Sequence, residues 1–153
     1  MAGVVHKKEC RVLTKYFYIA GCVPFLALGI LHTVYTIADK YNPKKLVPYK
    51  SGVIELMKES SLAITKETNM WRAWVGFNIS HGIGMLFFSG SYLYLSIFQH
   101  YFLESALYFI CAAPIISFTY LVLSKKYWFS IPAIGSAIGL LCFVAGALVQ
   151  LYA

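Results

Sequence analysis

The charges of this chain fall in only four places, and the gaps between them constrain the fold more than any other feature. Every Lys, Arg, Asp and Glu lies at or before Lys15, between Asp39 and Arg72, at Glu104, or at Lys125 and Lys126. The uncharged runs left between them are 16–38, 73–99, 105–124 and 127–153. Each reaches the roughly 20 residues that cross about 30 Å of hydrocarbon at about 1.5 Å per residue. Composition agrees: 59% of the 153 residues are hydrophobic and 12% charged, against about 25% charged in soluble domains. The pattern predicts an all-α, single-domain integral membrane protein. Four transmembrane helices, at about 16–38, 70–99, 105–124 and 127–152, would form an antiparallel up-down bundle with a long loop at 39–69.

A net charge of +7 raises nucleic acid as a partner, but the basic residues sit at the edges of apolar runs instead of forming a patch. The lipid bilayer is the partner they fit, and no nucleic acid is expected. Cys10, Cys22, Cys111 and Cys142 show no CxxC spacing, and three of them fall inside apolar runs, so neither a disulfide framework nor a redox motif is expected. The first run is too long for a signal-peptide core and is read as a retained helix of a multi-pass plasma or inner membrane protein. Nine basic residues flank the loops after the first and third runs, against four on the terminal side. Positive-inside counting therefore puts loop 39–69 in the cytoplasm.

Residues 1–15 read as a short basic arm on the membrane surface. Pro24, Pro114 and Pro132 mark local bends. Within the loop, Asn42, Pro43 and Pro48 keep the first half extended, with Lys44, Lys45 and Lys50 available to phosphate headgroups. The stretch 51–64 holds enough Val, Ile, Leu and Met for a short helix, either on the bilayer or as a solvated loop helix. Thr65, Thr68 and Asn69 are the N-cap candidates for the second span. A tight turn at 99–104 joins the second and third spans, and Lys125 and Lys126 join the third and fourth. In the fourth, Gly135 and Gly139 form a GxxxG pair, extended by Cys142 and Gly146, that admits a close helix neighbour. That neighbour is another helix of this chain or, in a homo-oligomer, a second copy.

Residues 70–89, MWRAWVGFNISHGIGMLFFS, put polar groups inside a span. At helical spacing Trp71, Trp74, Asn78, His81, Gly82, Met85 and Ser89 share one face, while Val75, Phe77, Ile79, Ile83 and Phe87 cover much of the rest. In the first span His32, Tyr35, Thr36 and Asp39 form a matching stripe. His32 lies about 10 Å and His81 about 14 Å below the loop-side surface, so antiparallel neighbours would bring the imidazoles to similar depth. Ionisable residues within a span point to a functional site, although a His, an Asn and a Tyr can also serve helix packing alone. His6 and His100 lie outside the spans and read as surface residues.

The strings GILHT (29–33) and MWRAWVGFNISHGIG (70–84) resemble those of an uncharacterised family of small four-helix bacterial integral membrane proteins, over most of the chain. The resemblance implies the architecture and carries no activity.

Three function classes follow. In the first, an intramembrane polar cleft binds a small apolar or cofactor-like ligand: a quinone, a lipid, a metal ion or haem b. His32 and His81 are its ligand or metal contacts, Asn78, Tyr35 and Thr36 orient the guest, and Arg72 stands at the entrance. In the second, an imidazole is the acid or base of an enzyme acting on a lipid-soluble substrate, though no nucleophile, oxyanion hole or HExxH pattern accompanies it. In the third, the chain is a transport, accessory or assembly subunit.

Overall fold

The computed structural model describes residues 2–152, with side chains from Glu9 onward; His6, Lys7 and Lys8 of the basic arm lie outside the described side chains. The order is α1 (Ala2–Tyr41), α2 (Val53–Glu59), β1 (Ser61–Leu62), β2 (Thr65–Asn69), α3 (Met70–Phe98), α4 (His100–Ser105), α5 (Leu107–Tyr127) and α6 (Ser130–Tyr152). The chain is thus mostly helical. Among the described residues, three stretches are long and apolar enough to cross a membrane: Glu9–Tyr41 of α1, α5 and α6. α3 matches them in length at 29 residues, but Asn, His, Ser, Gly and Tyr along it lower its mean hydropathy, and it is not one of the three.

Several local expectations are corrected. Residues 2–15 continue α1 without a break instead of forming a separate arm. The turn at 99–104 is largely helical, as α4. The short helix expected within 51–64 is present, over the seven residues Val53–Glu59. The polar Ser60 turns the backbone extended (φ −85°, ψ 120°), and the β-branched Thr65 and Thr68 then favour a strand. The result is a small antiparallel hairpin with Leu62 opposite Thr65, Ser61 opposite Asn69 and an irregularity between the two. Of the three N-cap candidates Asn69 takes the role, its Oδ1 accepting from the Arg72 N–H at 2.9 Å, which satisfies one of the orphan donors at the start of α3.

The residues fall into two compact units, and the division lies within α1 and α3. The first unit comprises the described part of Met1–Leu28 with that of Leu86–Ala153. Its core is aromatic: Tyr18, Phe25, Phe88, Tyr92 and Phe143 are buried with Cys22, Leu103 and Ala113. Phe25 meets Phe88 edge-on at 5.2 Å and Tyr120 at 5.6 Å between ring centroids, the arrangement that the aromatic quadrupole favours. α5 and α6, separated by two residues, pack on each other. The small residues of α6 receive α1: a Cβ at Gly135 would lie 2.8 Å from Leu28, and one at Gly139 2.5 Å from Phe25. The GxxxG face is therefore filled by this chain's own first helix.

One group of charges is also drawn into the first unit. Arg11 Nε pairs with Glu104 Oε2 at 2.8 Å and lies over the Tyr101 ring at 4.6 Å. His100 Nε2 lies 3.2 Å from Glu104 Oε1 and 3.0 Å from the Arg11 carbonyl, and Gln150 donates to the Glu104 carbonyl at 2.6 Å. His100, with 12% of its side chain exposed, is thus not the surface residue its sequence position suggests. It ties α4 to α1.

Candidate functional site

The second unit, Gly29–Met85, holds all the residues singled out for binding. It contains the end of α1, the connecting segment and the start of α3. Asp39 organises the connection. Its side chain is 2% exposed, and its carboxylate accepts from the backbone N–H groups of Lys44 (2.8 Å), Lys45 (3.0 Å) and Leu46 (2.5 Å). Three converging amides satisfy a carboxylate that would otherwise be costly to bury. Trp74 then donates its indole N–H to the Leu46 carbonyl at 3.0 Å, so the segment after α1 is tied to both helices. Asp39, expected on the rim of the polar stripe, is a loop anchor.

The imidazoles of His32 and His81 touch, their ring centroids 5.1 Å apart and their planes inclined at 70°. Both side chains are half-buried. Phe77 stacks on His81 at 6.2 Å with planes 12° apart, and its own ring is 63% exposed. Asn78 is fully buried; its Nδ2 donates to the Trp74 carbonyl at 2.8 Å, and its side chain also interacts with His32. Trp71, Asn78, Gly82 and Met85 are buried, whereas Phe77 and Ile83 are exposed. The helical face deduced from spacing is the buried one here.

Gly82 explains how the rings come so close. A Cβ there would collide with Thr33 Oγ1 and would lie 3.2 Å from Thr33 N and 3.3 Å from the Gly29 carbonyl. Only glycine lets the two backbones approach to this distance. Thr33, not among the residues selected from sequence, has a buried hydroxyl with no hydrogen-bond partner. An orphan hydroxyl facing Gly82 is a feature that helical spacing alone could not distinguish from an ordinary back-bonded threonine.

The remaining expected contacts lie elsewhere. Thr36 is buried, but its hydroxyl donates to the His32 carbonyl at 2.8 Å and so is already satisfied. Tyr35 is 37% exposed, with the Lys45 ammonium 5.9 Å from its ring centroid. Arg72 is exposed at the start of α3. No family model, curated protein or solved structure matches the chain.

What the group can do follows from its donors. Among the described residues no three His, Cys, Asp or Glu side chains gather as a metal set, and Asp39 is engaged by backbone amides. Two nitrogens fall short of the three protein ligands of a catalytic zinc or the four of a structural one. Rings already in contact leave no slot between them for a porphyrin. The arrangement suits hydrogen bonding: each neutral imidazole offers one donor and one acceptor.

Proposed function

We propose that the chain is a four-span integral membrane protein, with α3 as the fourth span, that binds a small lipid-soluble molecule at the His32–His81 pair. The ligand class is a ring compound bearing a carbonyl or hydroxyl group, of which quinones are the common membrane-soluble type. One observation carries the reading: two imidazoles in ring contact within spanning-length helices, where a polar side chain without a task is rare. His81 and His32 would hydrogen-bond the oxygen of the guest, Asn78 would hold the His32 ring, and the exposed face of Phe77 would receive a planar ring. Entry is sideways from the bilayer, because Phe77 is open on that side. In this reading loop 39–69 lies in the cytoplasm.

The close approach at Gly82 favours a second reading, in which the pair only fixes the register of α1 on α3. Equilibrium dialysis of a short-chain benzoquinone against the protein in nanodiscs separates the two. The ligand reading expects one saturable site, weakened about tenfold in both His32→Ala and His81→Ala by loss of a hydrogen bond of roughly 1.4 kcal/mol, while Gly76→Ala binds normally. No saturable binding in the wild type, together with reduced unfolding stability in both histidine variants, sinks it in favour of packing. A Soret band on haem addition, lost in both variants, would overturn the choice of ligand class.

A further inference from the structure

The segment joining α1 to α3 exposes several large apolar side chains. Ile64, at the turn of the β hairpin, is 91% exposed and Leu56 on α2 61%, while Tyr49 is fully exposed. α2 buries none of its residues. The same segment presents Lys44, Lys45, Lys50, Lys58 and Lys66, all exposed, and its exposed acids number three, Glu55, Glu59 and Glu67. Its position is set by Asp39, whose carboxylate holds the amides of Lys44, Lys45 and Leu46 against the last turns of α1. The candidate span Glu9–Tyr41 ends at that level. The segment therefore begins at the end of a stretch long and apolar enough to cross a membrane.

We propose that this segment is a foot seated in the headgroup layer of a leaflet rich in anionic lipid. Its lysines meet lipid phosphates, and Leu56 and Ile64 dip toward the acyl chains. Charge complementarity selects this occupant: a basic excess interleaved with isolated large apolar side chains is the pattern of interfacial anchors. Lysine stems reach along apolar surface while their ammonium groups stay among the phosphates. Each lysine at an anionic surface contributes about fivefold to partitioning. The proposal needs only that α1 crosses the bilayer and does not depend on the His32–His81 reading.

The test uses the full chain in nanodiscs, with an environment-sensitive fluorophore on Ile64→Cys in a Cys111→Ser background, because Cys111 is the exposed native thiol. The labelled Cys111→Ser protein alone supplies the background. In discs containing phosphatidylglycerol, lipids with a nitroxide near the headgroup should quench the probe. In purely zwitterionic discs, or with Lys44, Lys45 and Lys50 changed to Gln, quenching should fall by roughly half or more. The corresponding Lys→Arg protein should retain it, and circular dichroism checks that helix content is unchanged. A probe that stays water-exposed in every disc overturns the proposal, and so does quenching that ignores both lipid charge and the lysines. Protection of the probe by a soluble protein, with no lipid quenching, would make the surface a protein-docking site and overturn it equally.

Discussion

Replacing Gly139 with alanine tests whether α1 truly fills the small-residue face of α6. The new Cβ would lie 2.5 Å from Phe25 Cε2, 3.0 Å from Phe25 Cδ2 and 3.1 Å from the Gly21 carbonyl. Phe25 cannot swing aside cheaply, since it is fully buried between Phe88, Tyr120 and Phe143. Nor can a backbone carbonyl. Overpacking of this kind costs about 1–3 kcal/mol, and the better helix propensity of alanine returns about 1 kcal/mol, leaving a net loss of up to about 2 kcal/mol. Gly90→Ala is the control, because nothing lies within 4 Å of a Cβ there; propensity acts alone and stabilises by roughly 0.5–1 kcal/mol. The two variants should differ by roughly 1–3 kcal/mol, or about 5- to 150-fold in the unfolding equilibrium. Denaturant titration in mixed micelles, followed by tryptophan fluorescence, reads the difference. Adding Phe25→Leu should relieve part of the Gly139→Ala penalty, a coupling of about 0.5–3 kcal/mol. If Gly139→Ala proves as stable as Gly90→Ala, α1 does not occupy that face and the packing described for the first unit is wrong.

Three further outcomes are expected. Asp39→Asn should cost about 1.5–3 kcal/mol through loss of charge-assisted bonds, and hydrogen exchange should show the amides of Lys44, Lys45 and Leu46 losing protection while α5 and α6 keep theirs. Glu104→Gln should destabilise the protein by about 1–3 kcal/mol by leaving Arg11 and His100 short of a partner, with the midpoint of thermal unfolding as the readout. Asn69→Ala removes the cap of α3 and should lower stability by about 1 kcal/mol; Asn69→Asp, which keeps an acceptor, should not.

How much of this was legible in the sequence varied with the distance over which a signal acts. The buried face of 70–89 follows from a period of 3.6 residues, because side chains four apart share an environment whatever the rest of the chain does. Trp74 departs from it, at 37% exposed, since its indole N–H reaches out to Leu46, 28 residues away in the chain. The ring contact between His32 and His81 agrees with their similar depth below the loop, but the lateral proximity came from Gly82, whose role depends on what stands opposite. The burial of His100 is not legible in the sequence because its partner Arg11 is 89 residues away and its other partner, Glu104, stands alone between two apolar runs. The hairpin at 61–69 was missed because four apolar residues at 53, 54, 56 and 57 suggested a helix that Ser60 in fact ends.

The polar residues of α3 lower its mean hydropathy, but where they lie on the helix bears on whether it crosses the bilayer. An average over all faces counts Asn78, Ser89 and Ser96 against the helix, yet all three are fully buried and present nothing polar to lipid. The outward positions are Phe77, Ile83, Phe87, Tyr94, Ile97 and Phe98, each more than 40% exposed. In hydrocarbon such outward apolar side chains are the expected lining, with polar groups turned inward as bilayer physics requires. Three of the residues that depress the average, Asn78, Ser89 and Ser96, thus belong to the interior. This supports the proposal that α3 is the fourth span.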